Sequence, residues 1–380
     1  MRIERIELSV FETRTNTGRF DLQQIDAAPG HKRWVRRSHP TPPGEIHVLH
    51  VCTADGVEGM CTVGDARYTT MRIEDLQQLR VLAIGEDPLA RERLFDKMHA
   101  ATRGMFTLMG WFGAFDNCLW DIAGKVAEQP VCELIGRVRP SCPAYYNFGG
   151  ASPEAAVADA LQARDQGFVA LKDHFLGTGQ QNVDWFRATR AAVGQEPVLL
   201  HDAASCSYHF EEALAVGKVL EELGYGWFEE PLADRDLPAL QRLCELLEIP
   251  LLAPETMMND FELSQVWLRS GAVDMLRVNA RHGMTMMLRL ARLADELGTT
   301  IEANGPGGLF GLVHAHLVCC VENTTYYEYF PGGSRDEIGK EIGLLNPAVP
   351  EQGSINAPDL PGWGAQWDRA YFERTRVAVR

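Results

Sequence analysis

The sequence predicts an α/β fold in which a closed β/α barrel follows an α+β segment. Three observations carry that reading. Between about residues 142 and 328, short apolar runs alternate eight times with stretches of helical periodicity, and strands joined through helices pair in parallel. Eight such units in roughly 200 residues suit a closed barrel better than an open sheet. The open, doubly wound alternative normally carries a glycine-rich first turn, and the chain contains no GxGxxG.

Taken in order, residues 1–14 alternate charged and apolar side chains as a half-buried strand does, and residues 46–54 and 59–63 repeat the pattern around Asp55-Gly56. Between them, residues 15–45 are rich in Gly, Pro, Arg and His, a loop too long for a plain connector. Residues 73–125 have helical periodicity and end in an apolar stretch, Trp111 to Asp116. Barrel strands are expected at 143–146, 168–172, 198–202, 227–229, 250–253, 275–278, 300–302 and 325–328, with helices such as 153–163 and 214–223 between them. The tail after Glu328 is rich in Pro and Gly, shows no further β/α unit, and is expected to fold back onto the N-terminal segment.

Bulk composition narrows the function. A formal charge of −16 argues against nucleic acid, which requires clustered Lys and Arg. Nine cysteines, an odd number with no CxxC pair, fit buried thiols in a reducing, cytoplasmic setting. The first residues lack the apolar core of a signal peptide, and no run reaches membrane-span length.

Active sites of β/α barrels lie at the C-terminal ends of the strands. Three successive strand candidates end there in an acid: Asp202, Glu229 and Glu255, spaced 27 and 26 residues apart. Each interval is one β/α unit. Side by side the acids would repel and raise one another's pKa. A hard divalent cation removes that penalty, and all-oxygen ligation favours Mg²⁺ over zinc. Singly, such acids also serve as helix N-caps; three in consecutive units point to a metal. One strand upstream, Lys172 and His174 are two residues apart, so both face inward while Asp173 faces out. The lysine can screen a substrate carboxylate, and the histidine can move a proton near neutral pH.

These marks, with Trp120-Asp121-Ile122-Ala123-Gly124-Lys125, Trp227-Phe228-Glu229-Glu230-Pro231, Pro254-Glu255 and the closing Pro358-Asp359-Leu360-Pro361-Gly362-Trp363-Gly364, resemble the enolase superfamily in its mandelate racemase-like branch. The resemblance spans nearly the whole chain. It implies an α+β capping domain at 1–140, a (β/α)₇β barrel at 141–345 and a tail at 346–380 that returns to the cap. It also implies one Mg²⁺ on Asp202, Glu229 and Glu255. The shared first step would be removal of the proton α to a carboxylate, with the metal stabilising the enediolate. A homo-oligomer is expected as well.

Departures from the family pattern refine this. His174 stands where the usual strand-two motif has a second lysine. Asp274 fits the aspartate of the family's His–Asp dyad, but the histidine position falls at Asn304, which takes up no proton at ordinary pH. Where other branches carry a lysine base on strand six, Arg277 stands instead. Arg37 and His39, in the basic run from His31, fall in the loop that closes over the barrel in relatives. Arg67 and Tyr68 fall in a second specificity loop. These cations either bind an anionic substrate or form a solvated face or subunit contact. Glu302 and Glu328, on strands seven and eight, complete the substrate-binding candidates. His314 and His316 read as helix packing, and His282 is left open between surface and pocket.

With His174 as the one competent base, the expected reaction is β-elimination of water from an acid sugar (an aldonate or aldarate), giving a 2-keto-3-deoxy acid; a single histidine can run it in the syn sense. The alternatives are a racemase, epimerase or cycloisomerase on the same fold, or a catalytically silent metal-binding or regulatory protein.

Overall fold

The computed structural model describes residues 1–13, 20–28, 31–38, 44–63, 70–101, 111–203, 208–255, 261–305, 308–331 and 338–380. The alternation at the start of the chain builds strand β1 (Ile3–Thr13). Strands β2 (Phe20–Ala28) and β3 (His31–Ser38) then form a separate antiparallel ribbon, where composition alone suggests a loop. The reason is positional: the prolines of this segment, at 29, 40, 42 and 43, all fall outside the two strands, leaving two runs whose ladder donors are intact. Strands β4 (Gly44–Thr53) and β5 (Glu58–Thr62) pair around Gly56, whose φ of 83° is left-handed.

Among the described residues four helices follow, Ile73–Ala83, Arg91–Ala101, Trp111–Val126 and the short Val131–Ile135. The curled sheet then begins with β6 (Cys142–Phe148), β7 (Ala170–Asp173), β8 (Val198–Asp202) and β9 (Tyr225–Glu229). It continues through β10 (Leu251–Ala253), β11 (Met275–Val278), β12 (Ile301–Ala303) and β13 (Tyr327–Tyr329). In the tail, β14 (Ser354–Ile355) pairs with β6, and β15 (Arg376–Val379) pairs with β1, so the end of the chain does return to the N-terminal sheet.

The eight strands β6 to β13 are parallel, in the order β12-β11-β10-β9-β8-β7-β6-β13. Their period-two pattern separates two cores. Tyr145, Ala170, Leu200, Trp227 and Leu252 pack together inside the curl, while Leu171, Leu199, Phe228, Leu251 and Leu276 join the core shared with the helices. Among the described residues no ladder joins β12 to β13. The seam is closed otherwise: Ile301 N donates to Asn323 O at 3.0 Å, and the Glu302 carboxylate accepts from Thr325 N at 3.1 Å and Tyr326 N at 3.3 Å.

The helix Trp111–Val126 joins cap to barrel. Gly113 lies so close to the turn after β11 that a Cβ there would sit 2.2 Å from Arg281 O. The barrel helix Met284–Glu296 has glycine at its N-cap and so no capping side chain of its own. Its first donors are satisfied from the cap instead: Met284 N donates to Asn117 Oδ1 at 3.0 Å and Thr285 N to Asp116 Oδ2 at 2.9 Å. Asp121 holds the tail, accepting from Trp363 N and Met60 N, both at 3.0 Å. The motifs at 120–125 and 358–364 are therefore structural clasps.

Burial pushes the Asp116 carboxyl up to about 6 from an ordinary 3.8. Between those values the folded chain binds more protons at this group than the unfolded chain. Stability contributed by Asp116 is thus full below the lower value and lost as pH rises through the higher one. The melting-temperature difference between wild type and Asp116→Asn is expected to shift in favour of the variant from about pH 4 to 6 and to be level above. A difference independent of pH would refute this.

The described cysteines are free, and all but Cys244 are buried. No helix among the described residues is long and apolar enough to cross a membrane.

Candidate active site

Strand alternation turns Lys172, Asp202, Glu229, Arg277 and Glu328 toward the barrel axis, and all are buried. Lys172 Nζ donates to Glu328 Oε1 at 2.8 Å, to Glu229 Oε2 at 2.9 Å and to Asp202 Oδ2 at 3.2 Å. Burial alone would lower this ammonium, but Glu229 and Glu328 lift it well above the ordinary lysine range. Arg277 closes on the other side of Glu229, donating through Nε at 2.7 Å and a terminal nitrogen at 2.5 Å, and also donates to Tyr145 Oη at 3.1 Å. Glu328 further accepts from Asn147 Nδ2 at 3.2 Å and from Gly305 N.

His174 follows the last residue of β7. Its Nε2 lies 3.0 Å from Asp202 Oδ2, and its side chain is 35% exposed. It thus touches the buried cluster while remaining partly exposed. Lys172 and His174 share the inward face as the spacing predicts, with Asp173 turned out to His201.

Glu255 stands two residues beyond β10. Its backbone N donates to Glu230 Oε1 at 2.8 Å, and its carboxylate lies 3.9 Å from the Arg281 guanidinium. Glu230, with a left-handed φ of 46°, turns the chain at the end of β9. Burial, then the carboxylates of Asp234 and Glu255, push its own carboxyl well above the usual range. Among the described residues, no three His, Cys, Asp or Glu side chains are gathered closely enough to enclose a metal ion. Asp202 and Glu229 are engaged by Lys172, His174 and Arg277, and Glu255 lies two residues beyond the next strand. The donor set nonetheless suits Mg²⁺ chemically: carboxylate oxygens only, from three consecutive strand ends.

Asn304 accepts through Oδ1 from Asn279 Nδ2, and its backbone N donates to Val278 O at 2.9 Å. Two expectations need correction. Asp274 precedes β11, and its Oδ2 accepts from Leu251 N at 2.8 Å at the start of β10. It is at the N-terminal end of the strands, the opposite end from His174, and cannot form a dyad there. Glu302 faces inward, but its carboxylate is committed to the seam, and burial pushes it up to about 7; it is a closure group rather than a substrate ligand. Arg37 lies in β3 of the separate ribbon, while His39, Arg67 and Tyr68 lie outside the described residues.

His316 is a packing residue, as its helical spacing suggests: Nδ1 accepts from Cys132 N at 3.1 Å, and Nε2 donates to Trp363 O at 3.3 Å. His314 Nε2 accepts from Ala280 N at 2.9 Å. His282 is buried. The groups that sequence reading missed are Tyr145, Asn147 and Asn279. The signal was present, since Asn279 stands two residues beyond Arg277 and Asn147 two beyond Tyr145, on the same inward faces.

Family models match at both ends of this arrangement: "Mandelate racemase / muconate lactonizing enzyme, N-terminal domain" over residues 42–136 and "Enolase C-terminal domain-like" over 155–371. The chain belongs to the mandelate racemase/muconate lactonizing enzyme family of the enolase superfamily. Within that family it is similar to an arabinonate dehydratase from Saccharolobus solfataricus, 29% identical over 350 residues, covering 87% of this chain and 90% of the relative. A 3,6-anhydro-α-L-galactonate cycloisomerase from Streptomyces coelicolor is 26% identical over 355 residues, covering 88% of this chain and 92% of the relative. Among solved structures, D-glucarate dehydratase from Agrobacterium tumefaciens complexed with magnesium superposes with a TM-score of 0.83 at 28% identity, over 100% of both chains.

Proposed function

We propose that this family member is a Mg²⁺-dependent acid-sugar dehydratase. The observation that carries the reading is the inequality of the two sides of the mouth. On one side the His174 imidazole reaches Asp202 while still partly open to solvent. On the other, β11 offers Arg277, a permanent cation bonded to Glu229, and the residue after β12 offers the amide of Asn304. Lys172 has its N–H donors committed to carboxylates and serves as a cation, not a base. A single imidazole on one face suits syn elimination, because the group that takes the α-proton can return it to the departing β-hydroxyl. Racemisation would need a second acid–base group opposite.

Asp202, Glu229 and Glu255 would hold the metal, which when bound supplies positive charge against the charge that develops on the substrate carboxylate. Lys172 and Glu328 would frame that carboxylate. Support for a sugar-acid substrate comes from the arabinonate and glucarate dehydratase relatives. Arg37, His39 and Arg67 are proposed to bind the polyol chain. Each changed to Ala should raise KM with little effect on Tm, and a purely thermal defect would remove it from the site.

A panel of aldonates and aldarates, screened for 2-keto acid formation, tests the reaction class. The cycloisomerase relative sustains a second reading, which the same screen separates: an isomerised product keeps its mass, whereas dehydration removes one water. Failure of every acid sugar to react would leave the proposal without support.

A further inference from the structure

Asp173 and His201 lie on adjacent strands, directly paired in register, and both are fully buried on the outward face of the barrel. The Nδ1–H of His201 donates to Asp173 Oδ1 at 2.6 Å. Their surroundings are mainly aromatic and aliphatic, with Tyr208 and Tyr225 also beside the pair. The ring of Phe186 meets His201 edge-on at 4.6 Å, and Phe228 stacks on it at 5.6 Å. Neighbouring outward positions, such as Leu171, Leu199, Phe228 and Leu251, are hydrophobic. Two apolar side chains would fill such a place at no desolvation cost, so a buried polar pair is a poor device for stability alone. Its position explains it better. Asp173 stands between Lys172 and His174, and His201 immediately precedes Asp202.

The β7 ladder ends at Asp173, so no strand pairing holds His174. The Asp173 carboxylate supplies a substitute. The same Oδ1 that accepts from His201 also accepts from Phe175 N at 3.3 Å, closing a turn with His174 at its centre. One oxygen thus ties the residue after His174 to the residue before Asp202. On the other side of the sheet His174 Nε2 lies 3.0 Å from Asp202 Oδ2.

We infer that Asp173 and His201 are a positioning pair that fixes the proton-transferring imidazole over the metal-side carboxylate. The inference rests on the dehydratase reading for its kinetic consequence, though not for its structural one. Misplacing His174 should harm its second task, protonating the leaving hydroxyl, more than the first. Loss of the pair should therefore raise the ratio of α-proton exchange to elimination.

The test compares wild type, Asp173→Ala and Asp173→Asn. The asparagine retains an oxygen for both N–H donors while removing the charge and placing an amide NH2 where Oδ2 stands. Expected for Asp173→Ala is a loss of roughly 10–10² in kcat, as misplacement of a reacting group produces, with KM within about twofold and a higher exchange-to-elimination ratio in D₂O. Asp173→Asn should recover most of kcat. The ¹⁵N-histidine spectrum without substrate gives a reading independent of activity: the hydrogen-bonded His201 N–H signal and the His174 ring signals should move in Asp173→Ala and stay near wild type in Asp173→Asn. If Asp173→Ala is too unstable to study, His201→Phe takes its place, with the same kcat loss and the same His174 shifts expected. Unchanged His174 signals, or equal losses in the alanine and asparagine variants that track Tm, would overturn the inference. If the wild type dehydrates nothing while Asp173→Ala still shows the histidine shifts, the dehydratase reading is refuted and the positioning pair stands.

Discussion

His174→Asn is expected to lower kcat by about 10³-fold or more while leaving the fold intact. General acid–base catalysis contributes typically 10²–10⁴, and here one imidazole would serve both halves of the reaction. The side chain follows the end of β7 and is partly exposed, contacting Asp202 at 3.0 Å and the Phe330 ring at a centroid distance of 5.8 Å. Its loss therefore opens no large cavity, and Tm should hardly move. Asn304→Ala should be the milder change, since Asn304 contributes hydrogen bonds and no proton acceptor. Equal losses in the two variants would mean that the second face takes part in chemistry.

The second large effect concerns charge. Glu255→Gln removes one of the three carboxylates proposed to hold Mg²⁺, and Glu255 sits at the rim, only partly buried. Metal stabilisation of the developing charge is worth several kcal/mol, so kcat is expected to fall by about 10²–10³-fold or more. Removal of metal by EDTA should abolish turnover in wild type, and added Mg²⁺ should restore it. Calorimetric titration should show Mg²⁺ binding in wild type and much weaker binding in the variant. Full turnover in excess chelator would exclude the metal from the mechanism.

Much of this arrangement was legible in the sequence because β/α units repeat. An acid at the end of each of three successive strands is visible as a spacing, and the Lys172–His174 pair as an alternation. What lies on the wrong end of a strand is less visible. Asp274 adjoins β11 as Asp202 ends β8, and only the chain direction of each element distinguishes a leading from a trailing acid. Glu302 illustrates a second limit. Its inward orientation follows from period two, but its commitment to the N–H groups of Thr325 and Tyr326 depends on the seam between β12 and β13 lacking a ladder, a property of the closed sheet as a whole. The ion pair of Arg277 with Glu229 spans two strands and requires register, which no single segment encodes. The β2–β3 ribbon was hidden by a composition average over residues 15–45, although its prolines mark where pairing must stop.

The most direct test of the central claim, single-face elimination by His174, is turnover of the reacting acid sugar in D₂O with product and residual substrate followed together by NMR. The account predicts a 2-keto-3-deoxy acid carrying deuterium at C3, introduced as the enol ketonises, with little deuterated C2 epimer in the remaining substrate. Rapid formation of the C2 epimer without keto acid would contradict it and would show a racemase or epimerase with a competent group on the second face.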